Sequence, residues 1–314
     1  MTDVLLNGLM PIFAVMALGY LAGWIRDIDN HHVDELNALV MDFALPASLF
    51  VATASTSRAV IVAQWPLLVV LIVSMLALYT LSYWMQRRLF GLGSSEASVQ
   101  TLTIAQPNYG AAGLPLIVAV FGAPKTIDVA LALAAGSIVL SPLTLAILEA
   151  NKAPAGGQRN LGAVLQAIGR SLRKPIVLLP PLGIVFSLLG IPLAESVGRS
   201  FQLIGQAGGG VALFLTGLIL SAQRIELDAN VLSGTLLKNV VHPLLAVGLI
   251  LALPMDRDTA RVTLLLCALP SGFFGVLFGL RYGLESHVAG STLIVSSLAS
   301  VVTLAVALVV TEGS

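Results

Sequence analysis

Two short segments of the chain combine helix-breaking residues with neutral polar side chains. They contain Pro107, Asn108, Tyr109, Gly110, Gly113 and Pro115 in the first segment, and Pro270, Ser271 and Gly272 in the second. Proline and glycine disrupt helices, so each segment should unwind for a few residues. A helix that restarts after such a break presents unpaired N–H groups and a partial positive charge, which suit a carboxylate without any basic side chain. We predict an anion site at these breaks, with added hydrogen bonds from Asn108, Ser271 and Gln206.

Neither break contains Lys, Arg, Asp or Glu. The C-terminal ends of the half-helices before the breaks could receive a cation, but no carboxylate is present there to coordinate sodium strongly. Simple proline kinks, which transmembrane helices tolerate, are the alternative for each break. Two breaks at matching positions favour a substrate site near the middle of a membrane.

Three ionisable side chains fall within apolar segments. Asp42 lies one turn before Pro46, and an acid inside a membrane typically faces the protein interior, where it can relay protons. Hydration near the membrane surface and a structural ion pair are the alternatives for Asp42. Lys238 and His242 lie one helical turn apart and are candidates for proton or ion coupling. Alternatively, Lys238 extends to the membrane surface and His242 bonds to a neighbouring helix.

The chain around these residues is overwhelmingly apolar. Of its 314 residues, 57% are hydrophobic and 10% are charged, and the mean hydropathy is +0.95. Soluble domains carry about 25% charged residues, so an ordinary soluble enzyme is excluded. The 16 Lys and Arg balance the 16 Asp and Glu, which leaves no charge excess for binding nucleic acid.

Ten apolar segments approach the length of about 20 residues that crosses a bilayer as a helix. They are residues 4–24, 36–54, 65–85, 97–121, 127–148, 175–193, 201–221, 232–253, 262–280 and 287–310. Residues 67–73 are continuously apolar and do not alternate as the strands of a β-barrel do. The predicted fold class is therefore an all-α polytopic membrane protein.

The connections between these segments predict orientation and domain organisation. The odd-numbered connections hold ten Lys and Arg against five in the even-numbered ones, with Lys238 set aside. Lys and Arg favour cytoplasmic loops, so both termini are predicted to be extracytoplasmic. The cytoplasmic linker, residues 151–174, separates residues 1–150 from residues 175–314, with five predicted helices in each half. Five helices per half fit an inverted repeat, as in many secondary transporters, and ten helices without internal symmetry are the alternative.

Four motifs together resemble the auxin efflux carrier family. They are residues 36–46, the run from Pro107 to Pro115, residues 207–214 followed by Gly217, and residues 269–272. The family includes plant exporters of auxin and bacterial permeases for malonate and related organic anions. The resemblance covers nearly the whole chain and implies a scaffold domain and a transport domain. It further implies two inverted five-helix repeats whose broken fourth and ninth helices cross, as in sodium/proton antiporters and bile-acid symporters.

The predicted function is alternating-access transport of a small carboxylate, such as malonate or an auxin-like acid, across the cell (plasma or inner) membrane. Expected partners are the lipid bilayer, a coupling proton or sodium ion and a second copy of the chain; no cofactor, metal or nucleic acid is expected. An intramembrane enzyme is disfavoured, because neither two well-placed acids nor a Gly-x-Ser-x-Gly motif is present. A phosphate-binding loop for ATP is also absent from the sequence. A channel or a structural membrane subunit remains the alternative.

Overall fold

The computed structural model describes residues 2–30, 33–151, 169, 173–222, 226–284 and 286–313. Within these residues every regular element is helical, and extended backbone pairs only at a bridge between Pro107 and Ser271. The all-helical fold class is confirmed. The predicted linker, residues 151–174, lies almost wholly outside the described residues.

The helices, numbered here in chain order, follow the predicted apolar segments. In the first half they are α1 Thr2–Trp24, α2 Asp34–Ala38, α3 Leu45–Ala54, α4 Arg58–Ala63, α5 Trp65–Arg88, α6 Ser94–Ala105, α7 Leu114–Phe121 and α8 Thr126–Asn151. In the second half they are α9 Pro175–Leu189, α10 Glu195–Ser221, α11 Ala229–Leu236, α12 His242–Ala252, α13 Arg257–Ala268, α14 Phe274–Arg281 and α15 His287–Gly313. The short helix α4 is absent from the predicted segments; the Ser57 side chain caps its start by accepting from the Val60 N–H.

Six helical stretches of the described chain are long and apolar enough to cross a membrane. They are Asp34–Ala54, Trp65–Arg88, Thr126–Asn151, Glu195–Ser221, Ala229–Ala252 and His287–Val310. Two more apolar helical stretches are shorter: Phe13–Trp24, which is the second part of α1, and Pro175–Leu189, which is α9. The remaining predicted segments, 97–121 and 262–280, are each divided into two helices, since α6 ends at Ala105 and α13 ends at Ala268. Both predicted interruptions are therefore present.

Three π-helical turns widen the helices at positions that the sequence did not predict. They are Leu39–Ala44, Tyr109–Gly113 and Leu237–Val241. After each π turn the next helix has a proline as its second residue: Pro46, Pro115 and Pro243. A proline ring clashes with the carbonyl four residues earlier, and in each case that carbonyl belongs to the π turn. The wider turn therefore accommodates the proline without ending the helix.

The helices pack in two groups. The scaffold group consists of α1, α3, α9 and α10, in which α10 lies against α1 and α3, and α9 lies against α3. Glycine makes the α1–α10 contact possible, because a Cβ on Gly217 would lie 1.9 Å from the Met16 carbonyl oxygen. The crossing group consists of α5 to α8 and α11 to α15 and contains both helix breaks. It packs against the scaffold group through α7, which lies on α1, and through α8, which lies on α3 and α9.

Candidate functional site

The two helix breaks lie against each other and are joined by backbone hydrogen bonds. The Asn108 N–H donates to the Pro270 carbonyl oxygen at 3.0 Å, and the Gly272 N–H donates to the Gln106 carbonyl oxygen at 2.8 Å. Backbone polar groups in a membrane interior must be satisfied within the protein, and each unwound segment does this in part for the other. The structure therefore brings Pro107 and Asn108 together with Pro270, Ser271 and Gly272, in keeping with the crossing that the family resemblance implies.

Gly272 is required by the closeness of this crossing. A Cβ at position 272 would lie 2.4 Å from the Gln106 carbonyl oxygen and 3.2 Å from that of Pro107. No side chain fits at the first distance, so only glycine allows the two backbones to pair.

A chain of hydrogen bonds anchors Ser271 to neighbouring helices. Its N–H donates to Ser296 Oγ on α15 at 2.9 Å, and Ser296 Oγ donates to Asn239 Oδ1 at 2.6 Å. Asn239 belongs to the π turn between α11 and α12, and its Nδ2 donates back to the Ser296 carbonyl oxygen at 3.0 Å. The Ser271 hydroxyl itself is buried and has no partner in the described part of the chain. Contact of this hydroxyl with a ligand stays a prediction.

A cavity of about 690 Å³ borders the restart of both broken helices. Its lining includes Gly110 in the turn after the first break, and Phe273 and Phe274 where α14 begins. Gln202 and Gln206 of α10 contribute amides, and the other lining residues come mainly from α1, α3, α8 and α10. Its described lining contains no Asp, Glu, Lys or Arg. The cavity therefore lies between the scaffold group and the crossing and offers helix N-termini and amides to a ligand.

Lys238 and His242 are completely buried beside the second break. Lys238 Nζ donates to the Cys267 carbonyl oxygen at 2.8 Å and lies 2.8 Å from His242 Nδ1. His242 Nε2 lies 3.2 Å from Ser74 Oγ on α5. The alternative in which Lys238 extends to the membrane surface is wrong, because the side chain turns inward to the C-terminal end of α13. There the ammonium compensates the partial negative charge of the half-helix.

Asp42 forms an ion pair with Arg281, the last residue of α14. Nearby, Asn37 Nδ2 donates to the Leu277 carbonyl oxygen at 3.0 Å, so the segment before α3 is tied to α14 twice. Of the alternatives for Asp42, the structural ion pair is the one observed. Whether this carboxylate also relays protons stays a prediction.

The family model described as a membrane transport protein matches residues 4–308. The chain belongs to this family. The resemblance to auxin efflux carriers is confirmed, and with its long apolar helices this family member is a multi-pass membrane protein.

Three relatives show the range of this membrane transport family. The uncharacterized transporter YfdV of Escherichia coli K12 is 28% identical over 306 residues, which cover 96% of each chain. A putative malonate transporter of Rhizobium meliloti is 25% identical over 299 residues, which cover 94% of this chain and 92% of that protein. Auxin efflux carrier component 6 of Arabidopsis thaliana is 28% identical over 145 residues, 44% of this chain and 25% of the carrier. These relatives are named as transporters or carriers.

The predicted substrate-binding residues of this family member lie in four places. Gly110 and Gln206 line the cavity, whereas Pro107, Asn108, Pro270, Ser271 and Gly272 form the buried crossing behind it. Tyr109 and Gly113 face other helices: the Tyr109 hydroxyl donates to Met75 Sδ at 3.4 Å, and a Cβ on Gly113 would lie 2.9 Å from Leu269 Cδ1. Pro115 lies in the first turn of α7. Direct contact of these residues with a substrate stays a prediction.

Three residues at the site were not among the predicted ones. Phe273 and Phe274 line the cavity with stacked rings 5.2 Å apart, and Gln106 is fully buried at the crossing. Gln106 directly precedes Pro107, and Phe273 and Phe274 follow Pro270 by three and four residues, so closeness to the two prolines was the available signal. In the sequence, an aromatic residue that lines a cavity cannot be distinguished from one that packs in the core. The two phenylalanines were therefore not predicted as site residues.

Proposed function

We propose that the protein moves a small organic carboxylate across the membrane by alternating access. The observation that carries this proposal is the uncharged cavity that borders the N-terminal turns of both half-helices. These turns supply N–H groups and partial positive charge, which hold an anion reversibly without a fixed cation. Gln206, which lines the cavity, is the side chain proposed to complete the contacts.

The lining favours a carboxylate with an apolar body over a compact dicarboxylate. Apart from the two amides and a few hydroxyls, the cavity walls are aliphatic, glycine or phenylalanine. An auxin-like aromatic acid buries its ring against such walls, whereas a second carboxylate would lose hydration there without a partner. The putative malonate transporter among the relatives keeps malonate as the second candidate substrate.

The positions of the cavity-lining residues support a conformation in which the cavity opens to one side of the membrane. The cavity is lined by Ser55, Thr126 and Gln202, which lie near the ends of α3, α8 and α10 that join even-numbered connections. The Asp42–Arg281 pair lies toward the opposite ends of its helices. With odd-numbered connections in the cytoplasm, this arrangement is outward-facing. Movement of the crossing group relative to the scaffold group would then expose the site inward.

For a carrier that is not coupled to a second ion, the membrane potential determines the direction of net anion transport. An inside-negative potential favours exit of an anion, and import requires accompanying cations. Export, or import coupled to a cation, are therefore the two proposed modes.

The test is ligand binding followed by transport. Purified protein is heated with increasing concentrations of malonate, indole acetate and matched neutral amides of both acids. A carboxylate that is a substrate should raise the unfolding midpoint in a saturable way, and the amide should not. The same acid should then show saturable uptake into proteoliposomes, in contrast to the non-saturating flux of a channel. If no organic acid stabilises the protein or is taken up, the proposal is wrong.

A further inference from the structure

A groove of about 620 Å³ lies between α5 and α8, at the end of α5 that leads to α6. Its lining combines the aromatic rings of Tyr83 and Trp84, the guanidinium groups of Arg87 and Arg88, and apolar side chains of α8. Both arginines are exposed. The described lining contains no Asp or Glu. The groove therefore offers apolar walls with positive charge at the end of α5.

Hydrogen bonds between helices fix the walls of this groove. The Tyr79 hydroxyl lies 3.0 Å from Thr144 Oγ1 on α8, and the Tyr83 hydroxyl lies 2.8 Å from Ser94 Oγ at the start of α6. The Tyr79 and Tyr83 rings are stacked, with their centroids 6.4 Å apart. The groove is therefore preformed, so a ligand does not have to order these side chains on binding.

The positive charge of the groove is not neutralised within the described part of the chain. No Asp or Glu there forms an ion pair with Arg87 or Arg88. Arg87 donates to the Leu92 carbonyl oxygen, which uses one of the five N–H groups of its guanidinium. A guanidinium also matches the geometry of a phosphate group, which accepts two of its N–H groups at once. The two arginines therefore favour a ligand that contains a phosphate.

A second groove, of about 700 Å³, continues from the first along the same face of α5. The two grooves share Thr80 and Trp84, and the second extends to Val73 with lining residues at the three- and four-residue spacing of one helix face. The Thr80 hydroxyl donates to the Leu76 carbonyl oxygen, so it needs no partner from a ligand. At a rise of 1.5 Å per residue, the stretch from Val73 to Trp84 is about 16 Å long, close to the ~15 Å of hydrocarbon in one leaflet. An acyl chain therefore fits this groove in length and polarity.

Two tryptophans indicate where α5 meets the membrane surfaces. Trp65 and Trp84 lie near opposite ends of the helix and are 47% and 53% exposed. Their separation of 19 residues corresponds to about 28 Å of helix, close to the ~30 Å hydrocarbon thickness of a bilayer. Tryptophan concentrates at both membrane surfaces. The grooves therefore lie in the leaflet that ends at Trp84, with the arginines at the level of its headgroups.

We propose that the two grooves together bind one anionic phospholipid. Its phosphate contacts Arg87 and Arg88, and one acyl chain follows α5 from Trp84 toward Val73. A zwitterionic lipid carries its own cation beside the phosphate, so two arginines without an acidic partner favour a headgroup with net negative charge. The predicted orientation places this leaflet on the cytoplasmic side, where anionic lipids give the membrane a negative surface potential. The lipid site does not depend on the proposed carboxylate site, because the grooves lie on the outer face of the crossing group.

Fluorescence quenching tests both the lipid and its position. The chain has three tryptophans, so Trp24→Phe combined with Trp65→Phe leaves Trp84 as the single reporter in the full-length protein. This protein is reconstituted in phosphatidylcholine with a minor fraction of phosphatidylglycerol, and either one lipid or the other carries bromine on its acyl chains. The quenching of Trp84 should show a preference for phosphatidylglycerol of about fivefold or more.

Two arginine variants separate a specific site from general surface charge. Arg88→Gln should reduce the preference for phosphatidylglycerol about fivefold. Arg26→Gln is the matched control and should leave the preference unchanged. Arg26 is an exposed arginine just after α1, two residues beyond the exposed Trp24, on the same predicted side of the membrane and outside both grooves.

Thermal unfolding of the protein with all its tryptophans gives a second measurement, which decides if the single-tryptophan protein fails to fold. In detergent, phosphatidylglycerol should raise the unfolding midpoint in a saturable way, and by less in Arg88→Gln. Glycerol phosphate, which has the headgroup chemistry without acyl chains, should give no rise. A rise with glycerol phosphate that equals the rise with the lipid would show a site for soluble anions and overturn the proposal.

Three quenching results would also overturn the proposal. They are equal quenching by the two lipids, a preference that Arg88→Gln leaves unchanged, and an equal loss of preference in Arg26→Gln. Resistance of Trp84 to quenching by either lipid would show that a second copy of the chain covers the groove, which likewise rules out a bound lipid. No organic acid is present in these experiments, so their outcome is independent of the transport assays.

Discussion

The ammonium of Lys238 caps α13 by donating to the Cys267 carbonyl oxygen at 2.8 Å. Lys238→Met keeps the volume but leaves this buried carbonyl unpaired and the half-helix end uncompensated. We expect destabilisation of about 1–3 kcal/mol and a large loss of transport. Thermal unfolding and proteoliposome uptake measure the two effects.

An exposed arginine provides the control for that substitution. Arg199 is 77% exposed and pairs with Glu195 one turn away in α10, so Arg199→Met should change stability far less. Equal stability of wild type and Lys238→Met would show that the ammonium does not stabilise the end of α13.

Gly272→Ala should disrupt the crossing itself. The new Cβ would lie 2.4 Å from the Gln106 carbonyl oxygen, so the hydrogen bonds that pair the two breaks must lengthen. Transport should fall at least about tenfold, because the geometry of both helix ends depends on this contact. In contrast, Gly248→Ala adds a methyl group where nothing lies within 4 Å and should be neutral. Full transport by Gly272→Ala would contradict the need for close backbone pairing.

Local signals in the sequence predicted the helices and the two breaks, because proline, glycine and apolar run length act within a few residues of the chain. Partners that are distant in the sequence could not be predicted in this way. Asp42 and Arg281 are 239 residues apart, and nothing in either segment specifies the other. Lys238 shows the same limit: only packing against α13 determines that it turns inward rather than toward the membrane surface. The π turns likewise depend on packing in the bundle, which keeps each helix continuous at its proline.

Asp256 should stabilise the start of α13 in a pH-dependent way. Its side chain accepts from the Thr259 N–H at 2.9 Å, and hydrogen bonds from the Thr259 side chain and backbone lower the pKa of Asp256. Asp256→Ala should therefore cost about 1 kcal/mol at neutral pH. A carboxyl with a lowered folded-state pKa stabilises above its unfolded value of about 3.9 and loses this contribution as pH falls through the folded value. The gap in unfolding midpoint between wild type and variant should close in acid.

The matched control for this cap is Asp258→Ala. Asp258 lies in the same turn and pairs only loosely with Arg261, at 3.9 Å. A pH-independent gap for Asp256→Ala, or an equal loss for both variants, would contradict the capping role.

The Asp42–Arg281 ion pair should hold the two helix groups together on the side away from the cavity. Both side chains are partly exposed, at 22% and 29%, so the pair contributes at most about 1 kcal/mol. Arg281→Gln should then shift the population by up to about fivefold toward the state in which the cavity faces the other side.

A single cysteine reports this shift. In a Cys267→Ser background, Gln202→Cys places a thiol at the cavity, and its labelling by a membrane-impermeant reagent should slow when Arg281→Gln is added. The double reversal Asp42→Arg with Arg281→Asp should restore the original rate, since it re-forms the pair. Arg199→Gln is the control, because the Glu195–Arg199 pair lies within α10 and links no two helix groups. Labelling that is equally fast in all four proteins would show that the pair does not bias the conformation.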